Sequence, residues 1–471
     1  MVSAGTRSPA YPIKTKSLFK DRTLMKKTLR GAIVLAAGIA VAACVKQAWQ
    51  VTYPGPENYS VGTAVLVAEN GTSYMAGFID PQTLFVAAYN ANGQKLWDQR
   101  LSGDGFSSFS YGRTLALDKG TLYLISDNRT TLSVTLFKLK ADTGEVLLQR
   151  DLENSVIASN FQLGADGQLY LNSSFSGSSS SSPVIAYSAD GEFLWEYPAP
   201  RVPFPSFEER QKNVPSDSSQ PSNSDDTLLL QSRAAAAGGN ASDGSSGWID
   251  VQAAVLQGGL IFLHTSSTIT ALDSNGNVIA SQSSANLGFT NVTSMIAHGD
   301  KLLVIGSTTS ATESVVLNLD LTEHSRSTLS TELGTTIKVR SSGNDTCALL
   351  NNTSTLQLMQ LDASGAPLWI HPLDKPSSVF EIVGEWLLAD QGACYYSTTH
   401  YSSRRLNTYV DRYNGPGEST DHFTLTDFAP MGVVVQGKSI YHVGITGPFD
   451  EATQQYDDSI TIAALNKQTR K

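Results

Sequence analysis

Cysteine is scarce: this 471-residue chain holds three, Cys44, Cys347 and Cys394. So few thiols exclude a disulfide-dense scaffold, and no Cys/His pairs stand at zinc-binding spacing. Charged residues are only 16% of the sequence, lysine and glutamate are sparse, and the periodicity of amphipathic helices is nearly absent. Beyond the N-terminal region the apolar runs are short, which leaves no spanning helix there. The seven histidines form no His-Glu-x-x-His array, and neither a Gly-x-Ser-x-Gly elbow nor a phosphate-cradling glycine motif occurs. His298-Gly299-Asp300 reads as a turn. Asp273-Ser274-Asn275-Gly276-Asn277 starts like a calcium loop but lacks the distant bidentate Glu, and it falls in register with ordinary hairpin turns. No catalytic residue, metal or cofactor is assigned.

What the chain has instead is Ser, Thr, Gly, Asn and Asp around short alternating apolar runs. Leu84 to Tyr89 enters the turn Asn92-Gly93 and leaves through Lys95-Leu96-Trp97 to Leu101, a strong β-hairpin signal. The hairpin recurs. Ala186 to Gly191 ends four residues later in Trp195, and Gln360 to Gly365 ends four residues later in Trp369. Ala271 to Gly276 keeps the turn with Ala280 at the Trp position, and the turn at Asp142-Thr143-Gly144 has Leu148 there. Further turns fall near Glu323, where the Gly should be, at Gly417 and near Thr469. Spacings are about 42 to 52 residues, except for one of about 85 that contains residues 201–247. That stretch, with Pro203, Pro205, Pro215 and Pro221 and a Ser/Asp-rich body, cannot bury a core and reads as a disordered insertion; a partner-binding loop is the other reading.

The chain ends where a last outer strand should begin, while Trp49-Gln50-Val51-Thr52-Tyr53 looks like an outer strand without its hairpin. Joining the two gives an all-β, eight-bladed β-propeller with four-stranded antiparallel blades, spanning residues 44–471 and closed by the N-terminal strand. In each unit the turn glycine (Gly93, Gly144, Gly191, Gly276, Gly365, Gly417) accepts a positive φ. Trp49, Trp97, Trp195 and Trp369 supply apolar faces between blades. Cys347 and Cys394 each sit near the start of a second strand; equivalent positions point the same way across sheets roughly 10 Å apart, which favours two buried thiols over a disulfide.

Met25-Lys26-Lys27-Thr28-Leu29-Arg30, the apolar stretch Gly31 to Ala43 and Val41-Ala42-Ala43-Cys44 resemble a bacterial lipoprotein signal peptide with its lipobox. The resemblance implies that residues 1–43 are removed, that translation starts at Met25, and that Cys44 is the acylated, palmitate-bearing first residue. An uncleaved anchor is the alternative. Val45 in place of Asp implies sorting to the outer membrane, facing the periplasm. Residues 1–43 carry eight Lys/Arg and one Asp, so their loss takes the net charge from −10 to about −17. An acidic surface of that size argues against nucleic acid.

The pattern Ala-x-Asp-x-x-Gly-x-x-x-Trp, with Asn90 or Ser188 for the Asp, is similar to the repeat of PQQ-like propellers, and Tyr74 to Gly77 with Phe85 to Tyr89 to that of exported bacterial propellers. Quinoproteins add an adjacent cysteine pair, and Cys-Cys is absent here. A lipid-anchored eight-bladed chain of this size instead resembles the propeller lipoproteins of outer-membrane barrel assembly machineries. What the resemblance implies is a non-enzymatic, monomeric scaffold for other envelope proteins. The alternatives are a ligand-binding or quinoprotein-like enzyme with a site in the central channel, and a surface-display propeller.

Overall fold

A computed structural model of the protein describes residues 47–54, 60–80, 83–102, 106–107, 114–128, 133–153, 158–173, 184–197, 255–265, 267–331, 335–351, 356–374, 382–402, 405–417, 419–436, 439–446, 449–450, 455–456 and 459–466. Cys44 and the insertion at 201–247 lie outside these. The first strand is β1 (Gln47–Pro54). Blade I follows as β2 (Val61–Val67), β3 (Ser73–Asp80), β4 (Thr83–Tyr89) and β5 (Lys95–Ser102). Blade II has a split innermost strand, β6 (Phe106–Ser107) and β7 (Leu115–Asp118), then β8 (Thr121–Asn128), β9 (Ser133–Lys140) and β10 (Val146–Leu152). Blade III is β11 (Ala158–Leu163), β12 (Leu169–Ser173), β13 (Val184–Tyr187) and β14 (Phe193–Tyr197). Blade IV is β15 (Val255–Gln257), β16 (Leu260–Thr265), β17 (Thr268–Leu272) and β18 (Val278–Ser283). Blade V is β19 (Asn291–His298), β20 (Lys301–Ser307), β21 (Thr312–Leu317) and β22 (Glu323–Ser330). Blade VI is β23 (Thr335–Ser342), β24 (Asp345–Asn351), β25 (Leu356–Leu361) and β26 (Pro367–Leu373). Blade VII is β27 (Ile382–Asp390), β28 (Ala393–Ser402), β29 (Arg405–Tyr413) and β30 (Asp421–Thr426). Blade VIII takes β31 (Phe428–Gln436), β32 (Ser439–Thr446) and, after a two-stranded ribbon of β33 (Phe449–Asp450) and β34 (Gln455–Tyr456), β35 (Ser459–Asn466).

The fourth strand of blade VIII is β1. It pairs antiparallel with β35, Trp49 opposite Ala464, Val51 opposite Ile462 and Tyr53 opposite Ile460. The ring is closed by the two chain ends, as the repeat phase requires, and the architecture is the eight-bladed all-β propeller expected. Closure hides one edge of the last sheet that would otherwise stand open.

Middle strands are buried on both faces because each sheet is sandwiched between two others. β3 is buried from Ser73 to Ile79 and β4 from Leu84 to Tyr89. Outermost strands alternate instead, as β26 does with Leu368, Ile370 and Pro372 outward. The core is accordingly a set of seams rather than one cluster. Trp97, Val86 and Ala88 of blade I meet Leu122, Phe137 and Leu139 of blade II. Met75, Phe85 and Tyr89 on the opposite face of blade I meet Trp49, Val51, Val443 and Ile462 of blade VIII.

A second regularity is a β-bulge at the start of the outermost strand. Tyr89 pairs with Lys95 and Ala88 with Trp97, so Leu96 is an extra residue. The same insertion falls at Ala48, Leu147, Leu194, Ile279, His324 and Leu368. It turns the preceding side chain outward and drives the next, the Trp position, toward the neighbouring blade.

The cysteine expectation is corrected. Cys347 and Cys394 form a disulfide with Cα atoms 5.8 Å apart, in place of two thiols. The reason is register. Ser342 opposite Asp345 and Asp390 opposite Ala393 close the two hairpins. Cys347 is therefore the third residue of its strand and Cys394 the second, and an odd offset puts them on opposite faces. One looks forward and the other back across the seam between blades VI and VII, where Leu349, Leu358 and Tyr396 surround them. For a closed loop with a sequence separation of 47 residues, the pair Cys347→Ala with Cys394→Ala is expected to lose about 4 kcal/mol in urea unfolding. A loss below about 1 kcal/mol would mean that apolar contact alone secures this seam.

Blade seams and the candidate interaction surface

The repeated tryptophans and glycines meet across the seams. Trp49 Nε1 donates to the Ala91 carbonyl at 3.0 Å, Trp97 Nε1 to Ala141 at 2.9 Å and Trp195 Nε1 to Ser274 at 2.8 Å. Each carbonyl belongs to the hairpin turn of the next blade, and each ring lies on that turn's glycine. A methyl group on Gly93 would stand 2.6 Å from Trp49, one on Gly144 2.5 Å from Trp97, and one on Gly276 2.7 Å from Trp195. These glycines are needed twice, for φ near +75 to +80° and for the close approach of an indole. Gly191 and Gly365 keep the positive φ but face smaller groups: Leu152 and Arg150 at the former, Ser314 and Val316 at the latter. In blade V, Ser325 holds the Trp position and its Oγ donates to the Ser364 carbonyl at 2.9 Å.

Two positions depart from the pattern. Trp369 Nε1 donates within its own blade to Gln360 Oε1 at 2.8 Å, although its ring packs in the seam with blade VII. Gly417 does not take a positive φ and meets nothing. The contact there is His371, whose Nδ1–H donates to the Pro416 carbonyl at 3.1 Å while its ring lies 4.7 Å from that of Tyr413. In blade V the expected glycine position is not Glu323, which opens β22, but Leu321, with φ of 66°. Its amide bonds the Asn318 carbonyl just as that of Gly93 bonds Asn90. The preceding blade carries Ala280 where Trp would stand, and Leu321 is buried in the cluster that Ala280 packs against. The large group has moved from the strand to the turn.

The titratable groups are mostly structural. His298 Nδ1 lies 2.8 Å from Thr346 Oγ1, its Nε2–H donates to the Asp362 carbonyl at 3.0 Å, and burial lowers its pKa. His442 is fully buried at the seam of blades VII and VIII, neither ring nitrogen has a partner among the described residues, and burial pushes it down to about 3. His264 is lowered by burial too. Asp273 accepts the amides of Asn275 at 2.8 Å and Asn277 at 2.9 Å through Oδ1, and Asn277 Nδ2 through Oδ2, which holds its pKa down and makes the segment a hairpin turn. Asp411 Oδ1 sits 2.7 Å from His422 Nδ1, and His422 Nε2 3.4 Å from Thr424 Oγ1. This carboxylate, imidazole and hydroxyl are neighbours on an outer sheet face, where His422 is 54% exposed.

The surface feature that sequence reasoning missed is the set of bulge residues. Leu96, Leu147, Leu194, Ile279 and Leu368 are between 43% and 60% exposed, on five blades at the same place in the repeat. The signal was available: in three units this residue is the Leu of a Leu-Trp pair, at 96–97, 194–195 and 368–369. These aliphatics stand one to a blade at the same repeat position, outside the core that the seams bury.

The architecture defines a β-propeller protein. Its sequence is matched over residues 83–295, from β4 into β19, by the family model described as PQQ_2, outer membrane protein assembly factor BamB, and this match together with the eight-bladed fold supports a PQQ-like propeller protein. No curated protein sequence matches it. Among solved structures it is similar to dihydro-heme d1 dehydrogenase NirN in complex with DHE, at 13% identity and TM-score 0.46, covering 94% of this chain and 85% of that one. Apo AztD from Citrobacter koseri aligns at 8% identity and TM-score 0.43 over 77% of this chain and 89% of that one. A virginiamycin B lyase from Staphylococcus aureus with quinupristin aligns at 9% identity and TM-score 0.41 over 88% and 99%. At such scores these likenesses carry nothing about activity.

Two measurements test the seams. Leu321→Gly relieves about 1–2 kcal/mol of left-handed strain but removes a buried Leu worth about 2–5 kcal/mol, so net destabilisation is expected. Adding Ala280→Trp should recover at least half of it, and a strictly additive double-mutant cycle would show that the two sites do not exchange volume. For His442 the native state binds fewer protons than the unfolded chain between about 3 and the ordinary histidine value of 6.5. Stability therefore rises with pH through that window and is lost as pH falls, by up to about 1.4 kcal/mol per unit. His442→Leu should flatten the melting temperature between pH 4 and 6.5 and leave stability at pH 7 equal or higher; an unchanged slope would acquit this histidine.

Proposed function

We propose that the protein is a non-enzymatic scaffold for other proteins of the bacterial envelope, held to the outer membrane through acylated Cys44 and facing the periplasm. The observation that carries it is the repeat itself: the family match over residues 83–295 is to a family named for outer-membrane protein assembly. Periodic exposed aliphatics at the bulges support contact with protein surfaces. The tripartite pattern ending in Ala42-Ala43-Cys44 supports export and acylation, with residues 1–43 removed and Val45 directing outer-membrane sorting. The scaffold works as a monomer that binds no cofactor.

Labelled palmitate supplied to cells should enter the wild-type chain and not Cys44→Ser, and the variant should leave the membrane fraction. Affinity capture of the acylated protein from envelopes should recover the same partners with and without residues 201–247. Label retained by Cys44→Ser sinks the anchor, and a chain that recovers no protein partner in either form sinks the scaffold.

A further inference from the structure

Eight sheets in a ring present eight outermost strands, seven of which contain a charged residue or a proline. Lys95, Asp98 and Arg100 stand in β5, Arg150 and Asp151 in β10, Glu196 in β14, Glu323 and Arg326 in β22, and Asp421 in β30. β26 carries Pro367 and Pro372, and β1 ends in Pro54. Charge and proline are the devices by which natural sheets keep edges from pairing. β18, Val278-Ile279-Ala280-Ser281-Gln282-Ser283, has neither. It also exposes two consecutive aliphatics, Val278 at 52% and Ile279 at 56%, and no strand pairs with its outer edge among the described residues.

We propose that the outer edge of β18 is a docking site for an extended segment of a partner protein, which adds to blade IV as a fifth strand. This rests on the scaffold reading and names its surface. Main-chain hydrogen bonds along Ala280 to Ser283, beyond the bulge at Ile279, supply affinity, and Val278 and Ile279 anchor the incoming side chains. The occupant's chemistry follows from charge. β18 is uncharged within a chain of net charge −10, so the segment is uncharged over about six residues and basic at its ends. A second copy fits less well: a six-residue edge about 20 Å long and about 5 Å deep covers on the order of 100 Å² per partner, far short of the roughly 1,200 Å² that a stable dimer buries, and like net charges repel.

The test uses the full chain and a synthetic peptide of alternating Val and Thr with Lys at each end, beside the same peptide N-methylated at alternate amides. The unmodified peptide should bind and slow amide exchange at Ala280 to Ser283. N-methylation, or the exposed double substitution Ile279→Lys with Ser281→Lys, should weaken binding at least about tenfold with the melting temperature unchanged. Leu147→Lys on blade II, whose strand is already charged, should change nothing. Three results overturn the proposal: no binding at millimolar peptide, equal binding by the lysine variant, or a wild-type dimer that the two lysines convert to monomer. Envelope partners retained by the lysine variant would overturn the edge while leaving the scaffold standing; loss of all partners by the wild type would remove the scaffold itself.

Discussion

A β-sheet buried on both faces must have a neighbour on each side, and that requirement governs this molecule. The middle strands of every blade are too apolar on both faces to stand at the end of a stack. Only a ring satisfies all of them, and a ring of four-stranded sheets leaves one strand to be supplied from elsewhere in the chain. β1 supplies it. Tyr53 stacks on Phe85 at 4.3 Å in the next blade while Thr52 Oγ1 bonds Thr461 Oγ1 at 2.9 Å in its own, so the same short strand joins sheet VIII and seals it against sheet I. The cost of bringing the chain's distant ends together is met by seam burial, since loop closure grows only slowly with length.

Given the ring, each seam must fill the same wedge, and the chain does so in several ways. Indole against glycine serves three seams, with the bulge setting the aim of the Trp. Between blades IV and V the volume sits on Leu321 instead, and the smaller Ala280 faces it. Between blades V and VI, hydroxyls of Ser314 and Ser325 bond turn carbonyls at 2.6 and 2.9 Å. Between blades VI and VII the turn has lost its glycine geometry and the indole of Trp369 bonds within its own blade, and there the seam carries a covalent bond. Where the repeated contact fails, a different one stands in its place.

The fold was legible because its strongest signal is local: an Asx-Gly turn flanked by alternating residues, repeated often enough that its phase reveals the missing strand. What escaped was everything that depends on a one-residue offset. Cys347 and Cys394 look equivalent in the sequence, yet after identical two-residue turns one is the third residue of its strand and the other the second, which places them face to face. Leu321 was hidden because a left-handed leucine is rare and the turn was sought two residues later at Glu323. His442 carries no sequence sign of being buried without a partner, since its strand, Ser-Ile-Tyr-His-Val, reads like any other. Cys44 rests on the signal pattern alone.

The repeat also decides what is left for other molecules. Seam residues are committed to the ring. The outward bulge residues and the outermost edges are what the seams do not use. A bulge that aims Trp97 inward must aim Leu96 outward, so each bulge puts one side chain on the perimeter, a large aliphatic on five blades and His324 on blade V. The apolar rim is thus not an ornament added to the scaffold but the complement of its locking contacts, and it recurs at Leu147, Leu194, Ile279 and Leu368 because the bulge does. A fold that must expose such residues to close can acquire a binding surface by leaving one neighbouring edge uncharged, and blade IV is the place where that condition is met.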